Sequence, residues 1–393
     1  MLEVLIQSKN NEKDIALVEN GNLIEYYEEN SSIIRNEGNI YIGIIKDVVE
    51  GMQAAFVDIG TDKNSFIHIK DMLPKIDETV EKYDNNIKIK DIAKKGKKIL
   101  VQVKKDSNEK KGARVSTHIN LPGKYIAFMP NTDIITISQK IENKQERQRL
   151  LDIVKQNLSS GNGAIIRTSA ENKDKEAIIE DIKKLEKKWG KILKTNVNPN
   201  TSEPKLIYKA EDIIEKMLID LTDKKINKII VNSKEEFIRL EKIKKENIEY
   251  ENIEIEQSDS VFDKYDLQKQ IEKIDGRKIW LKCGAFITID KTEALTAIDI
   301  NTGKYTGKKD LEETVCKVNK EATIEIAKQL RLKDIGGIII IDYIDMKKDE
   351  HNKNIEELLK EELKKDRAKT QVEGFTKLDL MELTRKHICS HRT

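Results

Sequence analysis

Residues 293–346 constrain the fold of this chain more than any other stretch, because they carry a strand, a long helix and a second strand in unbroken succession. Residues 294–300 alternate apolar and polar side chains, the period of a half-buried strand, and lead through Asp299 into the loop Asn301-Thr302-Gly303. At the far end Gly336-Gly337 opens onto four consecutive isoleucines, 338–341, that end on Asp342. Four β-branched residues in a row predict a strand buried on both faces. Between the strands, Asp310 and Glu313 give a capping pair, and Leu311, Val315, Val318, Ala322, Ile326 and Leu330 recur at helical steps. A unit of this kind predicts parallel strands, with Asp299 and Asp342 at one edge of one sheet, where such sheets place their sites.

Two carboxylates and an amide at adjacent strand ends are hard oxygen ligands. Mg²⁺ favours one or two carboxylates completed by water and phosphate, and held so it polarises a phosphodiester and acidifies a water. A single strand-end aspartate is more often a turn cap. For the set Asp299, Asn301 and Asp342, spacing alone leaves metal site and turn caps level.

The strings ALTAIDIN, IAKQLRLKDIGG and IIIIDYIDM resemble the catalytic core of the ribonuclease E/G family, bacterial endoribonucleases specific for single strands, and the match runs through the segment without gaps. The resemblance implies a nuclease in which Asp299 and Asp342 hold Mg²⁺, with Mn²⁺ as an alternative, and Asn301 orients the phosphate or water. Products would carry 5′-phosphate and 3′-hydroxyl ends. The implied partners are single-stranded RNA, preferably 5′-monophosphorylated, among ribosomal RNA precursors and messenger RNA.

Composition enters as a bound. At 393 residues the length suits two to four domains, and 36% charged against 38% hydrophobic residues gives a highly charged surface over an adequate core. A net charge of +2 does not announce nucleic acid, so any RNA surface must be a local one. Cys283, Cys316 and Cys389 make no even disulfide framework and point to a reducing compartment. With no signal-peptide pattern at residues 1–10 and no apolar run of membrane-spanning length, the expectation is a cytoplasmic protein without membrane contact.

Taken in order, residues 1–34 read as three short strands too few to bury a core alone. Residues 38–117 read as five short strands, which fits a small OB barrel. Phe56 and Phe66 on successive strands are either barrel core or a base-stacking platform. The strings AAFVDIG and SFIHIKDM resemble the S1 type of RNA-binding domain, which favours stacking and implies RNA contacts at Phe56, Phe66 and Lys111. Residues 74–95 read as a long exposed loop.

Arg167-Thr168 lies where a strand ends, and a guanidinium fork beside a hydroxyl suits phosphate. The resemblance makes it a pocket for an RNA 5′-monophosphate, with Gly123 nearby and Lys369 where the family usually has Arg. Gln139 stands where the family has a basic residue, with Lys140 beside it. Lys offers a point charge in place of a fork. A linker at 195–205 follows, then helices at 210–221, 234–245 and 259–273, strands at 228–232 and 248–256, and a hairpin at 278–290.

The fold class expected is therefore α+β and α/β, multidomain. The resemblance implies a split ribonuclease-H-like subdomain at 1–35 and 210–275, an S1-type OB domain at 36–118, a 5′-sensing subdomain at 119–209 and a DNase-I-like catalytic subdomain at 276–393. Longer members continue into a zinc-binding CPxC link and a small dimerisation domain, so this sequence reads as a short form. His387, Cys389 and His391 on the tail offer soft ligands, yet zinc is not expected, and the implied partners include a second copy of the chain as a homo-oligomer formed without that link. Asp334 and Asp345 are candidates to support the metal's water network. A nucleotide-driven motor needs a GxxxxGK[ST] loop, which the chain lacks. A non-catalytic S1-type RNA-binding protein is the alternative that a cleavage measurement separates.

Overall fold

The computed structural model describes residues 1–10, 12–30, 35–72, 87–194, 203–221, 226–303 and 311–389. Asp310, His391, most of the 195–205 linker and residues 74–86 lie outside them. The rest of the segment expected as an exposed loop carries a helical turn, Ile89–Ile92, with Ile89 and Ala93 buried in a core, because their apolar side chains seal the barrel. The architecture is mixed α and β, and the chain divides into two units, one formed by Met1–Ser32 with Lys224–Thr393 and the other by Ile33–Asp223.

In the first unit, one sheet runs Glu254–Gln257, Lys228–Val231, Leu2–Lys9, Glu12–Glu19, Asn22–Asn30. The first three of these are mutually parallel and the last two join as antiparallel hairpins, so the N-terminal strands find the partners that they lack locally. The second sheet has the order Lys278–Trp280, Phe286–Lys291, Leu295–Asn301, Gly337–Asp342, Leu380–Arg385, Thr370–Phe375. Its two central strands are parallel, as the strand–helix–strand pattern predicts, and every other neighbour is antiparallel.

Helices Leu311–Leu332 and Asp349–Lys364 cover one face of this second sheet. Val318, Ala322, Ile326 and Leu330 from the first, with Ile355, Leu359 and Leu363 from the second, interdigitate with Ile287, Ile298, Ile300, Ile339, Ile341 and Met381. The other face is open. Of the four isoleucines, Ile339 and Ile341 are buried, but Ile338 is 51% exposed. The strand is thus buried on one face only, a correction to the reading of a β-branched run as buried on both. β-branching fits any pleated surface and does not report which faces are covered.

The second unit holds a closed five-stranded barrel of the OB type. Ile40–Val49, Ala54–Asp58, Ser65–His68, Arg114–Ser116 and Lys98–Lys105 pair in turn, and the last returns to the first. Val57, Ile67, Val101, Val103 and Val115 fill it. A separate core lies under the sheet Ile135–Ile137, Asn162–Ile166, Ile126–Pro130, Leu121–Pro122, covered by helices Lys144–Asn157 and Lys175–Lys194.

Two helix readings change length. The one expected over 210–221 is Ile213–Asp220, with Asp212 as its cap. The one expected over 259–273 is a 3₁₀ turn, Lys264–Asp266, and a short helix, Leu267–Glu272. Tyr265 (φ 65°) and Asp266 (φ 49°) take left-handed backbone there, which no α-helix accommodates.

Candidate active site

Asp299 and Asp342 are register partners on the two parallel strands, so the sheet itself sets them side by side. Alternation from buried Ile298 and Ile300 turns Asp299 and Asn301 onto the open face, and Ile341 does the same for Asp342. Both aspartates are exposed, and Asn301 is half-buried and donates its Nδ2–H to the Asp299 carboxylate. The chain leaves Asn301 through Gly303 (φ 60°), where a Cβ would stand 2.7 Å from the Gly284 carbonyl, so only glycine fits.

The segment after Asp342 is clamped by the crossover helix. Asn319 donates Nδ2–H to the Ile344 carbonyl (2.8 Å) and accepts the Ile344 N–H (3.2 Å). Thr323 and Tyr343 share a hydroxyl hydrogen bond of 2.9 Å, and burial pushes the Tyr343 phenol up. Glu312, in the first turn of the helix, accepts the N–H groups of Lys347 and Lys348 and bonds His351. The Lys347 N–H above all holds the Glu312 carboxyl below its usual range. These ties fix the backbone that follows Asp342.

Asp345 is exposed in the same segment. Asp334 is placed differently from the reading that gave it a part in the metal's water network. It precedes Gly337–Asp342 at the end opposite Asp342, is 6% exposed, and pairs with Arg385 at 2.7 Å. Cys389 N–H and Ile388 N–H also donate to it, and His387 Nδ1 bonds its carbonyl.

On the barrel, Phe56 and Phe66 are cross-strand partners with centroids 6.1 Å apart, edge to face. Both are half-buried and point away from the barrel core. The register continues from Phe66 to Arg114, whose guanidinium is held by Asp71 at 2.9 Å. Lys111 is exposed in a turn closed by its N–H on Asn108 Oδ1, two residues before the Ala113 carbonyl that accepts the Phe66 N–H.

In the second core of that unit, Arg167 Nη1 donates to the Gly123 carbonyl (2.6 Å), and Nη2 pairs with Asp220. Thr168 Oγ1 and Ser138 Oγ are 2.9 Å apart. Gly123 is required, since a Cβ would meet the Ile126 carbonyl at 2.7 Å and Asp181 at 2.8 Å. Gly123, Arg167 and Thr168 are therefore assembled together. Lys369 belongs to the other unit, exposed immediately before Thr370–Phe375, and Gln139 is exposed.

The ribonuclease E/G family model matches residues 120–388. Ribonuclease G of Escherichia coli (strain K12) is 37% identical over 390 residues, which is 98% of this chain and 79% of that protein. The chain belongs to the ribonuclease E/G family. Ribonuclease G of Haemophilus influenzae is likewise 37% identical over 391 residues, with the same coverage. Ribonuclease E of Nostoc sp. is 34% identical over 360 residues, 89% of this chain and 51% of that protein.

Two adjacent exposed carboxylates with a carboxamide beside them are hard oxygen donors, chemistry that could hold a divalent cation. No group of three or more His, Cys, Asp or Glu side chains gathers among the described residues. Cys283, in the hairpin loop, has its thiol pushed up by burial and further by Glu321. Sequence reasoning missed Asn319, Glu312 and Asp220, whose roles appear only once residues 25 to 53 positions apart meet. No helix among the described residues is long and apolar enough to cross a membrane.

Proposed function

We propose that this chain cleaves single-stranded RNA with Mg²⁺ or Mn²⁺ to leave 5′-phosphate and 3′-hydroxyl ends, acting on ribosomal RNA precursors and messenger RNA. Family membership makes it an endoribonuclease in RNA processing and decay. The single observation that carries the finer reading is the register pairing of Asp299 with Asp342 on an exposed sheet face.

Asp299 and Asp342 would hold the metal, which when bound polarises the phosphodiester and lowers the pKa of a water. Asn301, by donating to Asp299, restrains that carboxylate and would present its own amide to phosphate or water. Water oxygen bonds to phosphorus in line as the P–O3′ bond breaks, and the proton is returned to the departing O3′. The ties from Asn319, Thr323 and Glu312 keep Asp342 in place through the reaction.

Phe56 and Phe66, half-exposed on the barrel with Lys111 nearby, support an S1-type clamp that stacks bases and pairs with phosphate. The domain reading stands beside it: a ribonuclease-H-like subdomain at 1–35 and 210–275, the S1-type domain at 36–118, a 5′-sensing subdomain at 119–209 and a DNase-I-like subdomain at 276–393. The mixed sheet that joins the N-terminal strands to Lys228–Val231 supports the split first subdomain.

Arg167, Thr168 and Gly123, assembled within one unit, form the 5′-monophosphate pocket in this reading. Arg167 has two of its donors on Gly123 and Asp220, and the remainder of its fork is available to phosphate. A 5′-monophosphorylated RNA should be cut about tenfold faster than its 5′-triphosphate form, the effect of one charge-assisted contact. Arg167→Lys should bring that ratio down to about two, since the fork is lost. Paired fluorescent RNAs, cut with Mg²⁺ and with EDTA, test the whole reading. Equal rates on the two 5′ ends would sink the pocket, and binding without metal-dependent cutting would leave a non-catalytic RNA-binding protein.

A further inference from the structure

The open face that carries the carboxylates also carries aromatic side chains at its edge. Trp280, Phe286 and Asn301 are consecutive register partners across three strands, and Lys278, Thr288 and Asp299 form the next row. All six project from the open face, because Ile279, Ile287, Ile289, Ile298 and Ile300 occupy the covered one. Trp280 is 61% exposed, although tryptophan is seldom so wet without a reason. Its ring meets Phe286 edge to face at 5.2 Å. The Lys278 ammonium sits 3.5 Å from the Phe286 centroid and 4.3 Å from that of Trp280. A side chain at Gly303, in the loop that leaves Asn301, would meet the Phe286 ring at 3.4 Å.

We propose that Trp280, Phe286 and Lys278 form a nucleotide subsite, on which one base of single-stranded RNA stacks beside the Asp299–Asp342 pair. The inference rests on the nuclease reading and adds a subsite to it. Two strand spacings, about 10 Å, separate Trp280 from the Asn301 strand, so a strand of RNA with its phosphate at the carboxylates runs directly onto the ring. An indole face accepts any base, and the ammonium between the rings neutralises the adjoining phosphate. A protein partner has less claim to the patch, because it is continuous with the acidic pair and offers a cation beside each π-face. The site would hold the chain flanking the scissile bond without reading its sequence.

Trp280 is also a reporter. The chain has two tryptophans, and the other, Trp189, is buried in the second core of the other unit. With EDTA present, titration of the full-length protein with a short single-stranded RNA should quench Trp280 emission, and Trp280→Leu should abolish the quenching. With Mg²⁺, Trp280→Leu should raise KM about 5- to 150-fold, the range of one stacked base, with a smaller change in kcat. Trp280→Phe should recover most of it. Making single nucleosides abasic on either side of the scissile bond should reproduce that loss at one position, with no further loss in Trp280→Leu. Unchanged emission and a KM within about twofold, alongside normal binding and cleavage, would overturn the subsite and leave the nuclease reading standing. A wild type that neither binds nor cuts RNA would overturn both.

Discussion

Replacing Asp299 or Asp342 by Asn should give a protein that binds single-stranded RNA as before and no longer cuts it. Each substitution keeps the shape of the side chain and removes one negative charge from a pair that the strand register sets side by side. Both positions are exposed on a sheet face whose packing lies on the opposite side, so the fold loses little. Substituting a group that only supports a metal ligand typically costs 10- to 100-fold. Losing a ligand should cost more, about a thousandfold or greater in the single-turnover rate at fixed Mg²⁺. Asn301→Ala should fall between, about 10- to 100-fold, because it removes the donor to Asp299 and leaves both carboxylates. Single-turnover cleavage across a Mg²⁺ titration, with anisotropy in EDTA as the binding control, reads all three. Cutting by Asp342→Asn within tenfold of wild type would remove Asp342 from the metal site.

The acidic pair was legible in the sequence because its two parts are local patterns: an alternating strand ending near Asp299 and an isoleucine run ending on Asp342. Parallel pairing follows from the helix between them, and their direct register is what that pairing produces. What the sequence hid were relations between distant residues. The isoleucine run looks the same whether one face is covered or two, and only the placement of both helices on one side leaves Ile338 exposed. Trp280 sits in a three-residue edge strand, Lys278–Trp280, too short for its alternation to declare a face. Phe56 and Phe66 were ambiguous between core and surface until the barrel interior was filled by other residues. Asp334 looked like a site residue for its nearness in sequence to the isoleucines, yet a strand's length separates its end from that of Asp342. Its true partner lies 51 residues further on.

That partner sets the largest stability effect to be expected. The Arg385 side chain is fully buried, at 0% exposure, and its guanidinium joins Asp334 (2.7 Å), Asp366 (2.8 Å) and the Ile335 carbonyl (2.9 Å). Asp366 is itself at 0% exposure, and Ala368 N–H donates to it at 2.8 Å. Arg385→Met would leave two carboxylates facing each other without a counter-charge, and removing one partner of such a set costs about 3–5 kcal/mol. For a unit of this size, that corresponds to a fall in Tm of about 10 °C. Arg385 pairs in register with Gly337, at the end of the sheet away from Asp342, so cleavage well below the melting range should change little. Neutralising the carboxylates as well, with Asp334→Asn and Asp366→Asn added to Arg385→Met, should recover much of the loss, because a buried triad is dear to break and near neutral to replace whole. A thermal melt of the single and triple variants decides it. If Arg385→Met melts within about 2 °C of wild type, the triad carries no net stability.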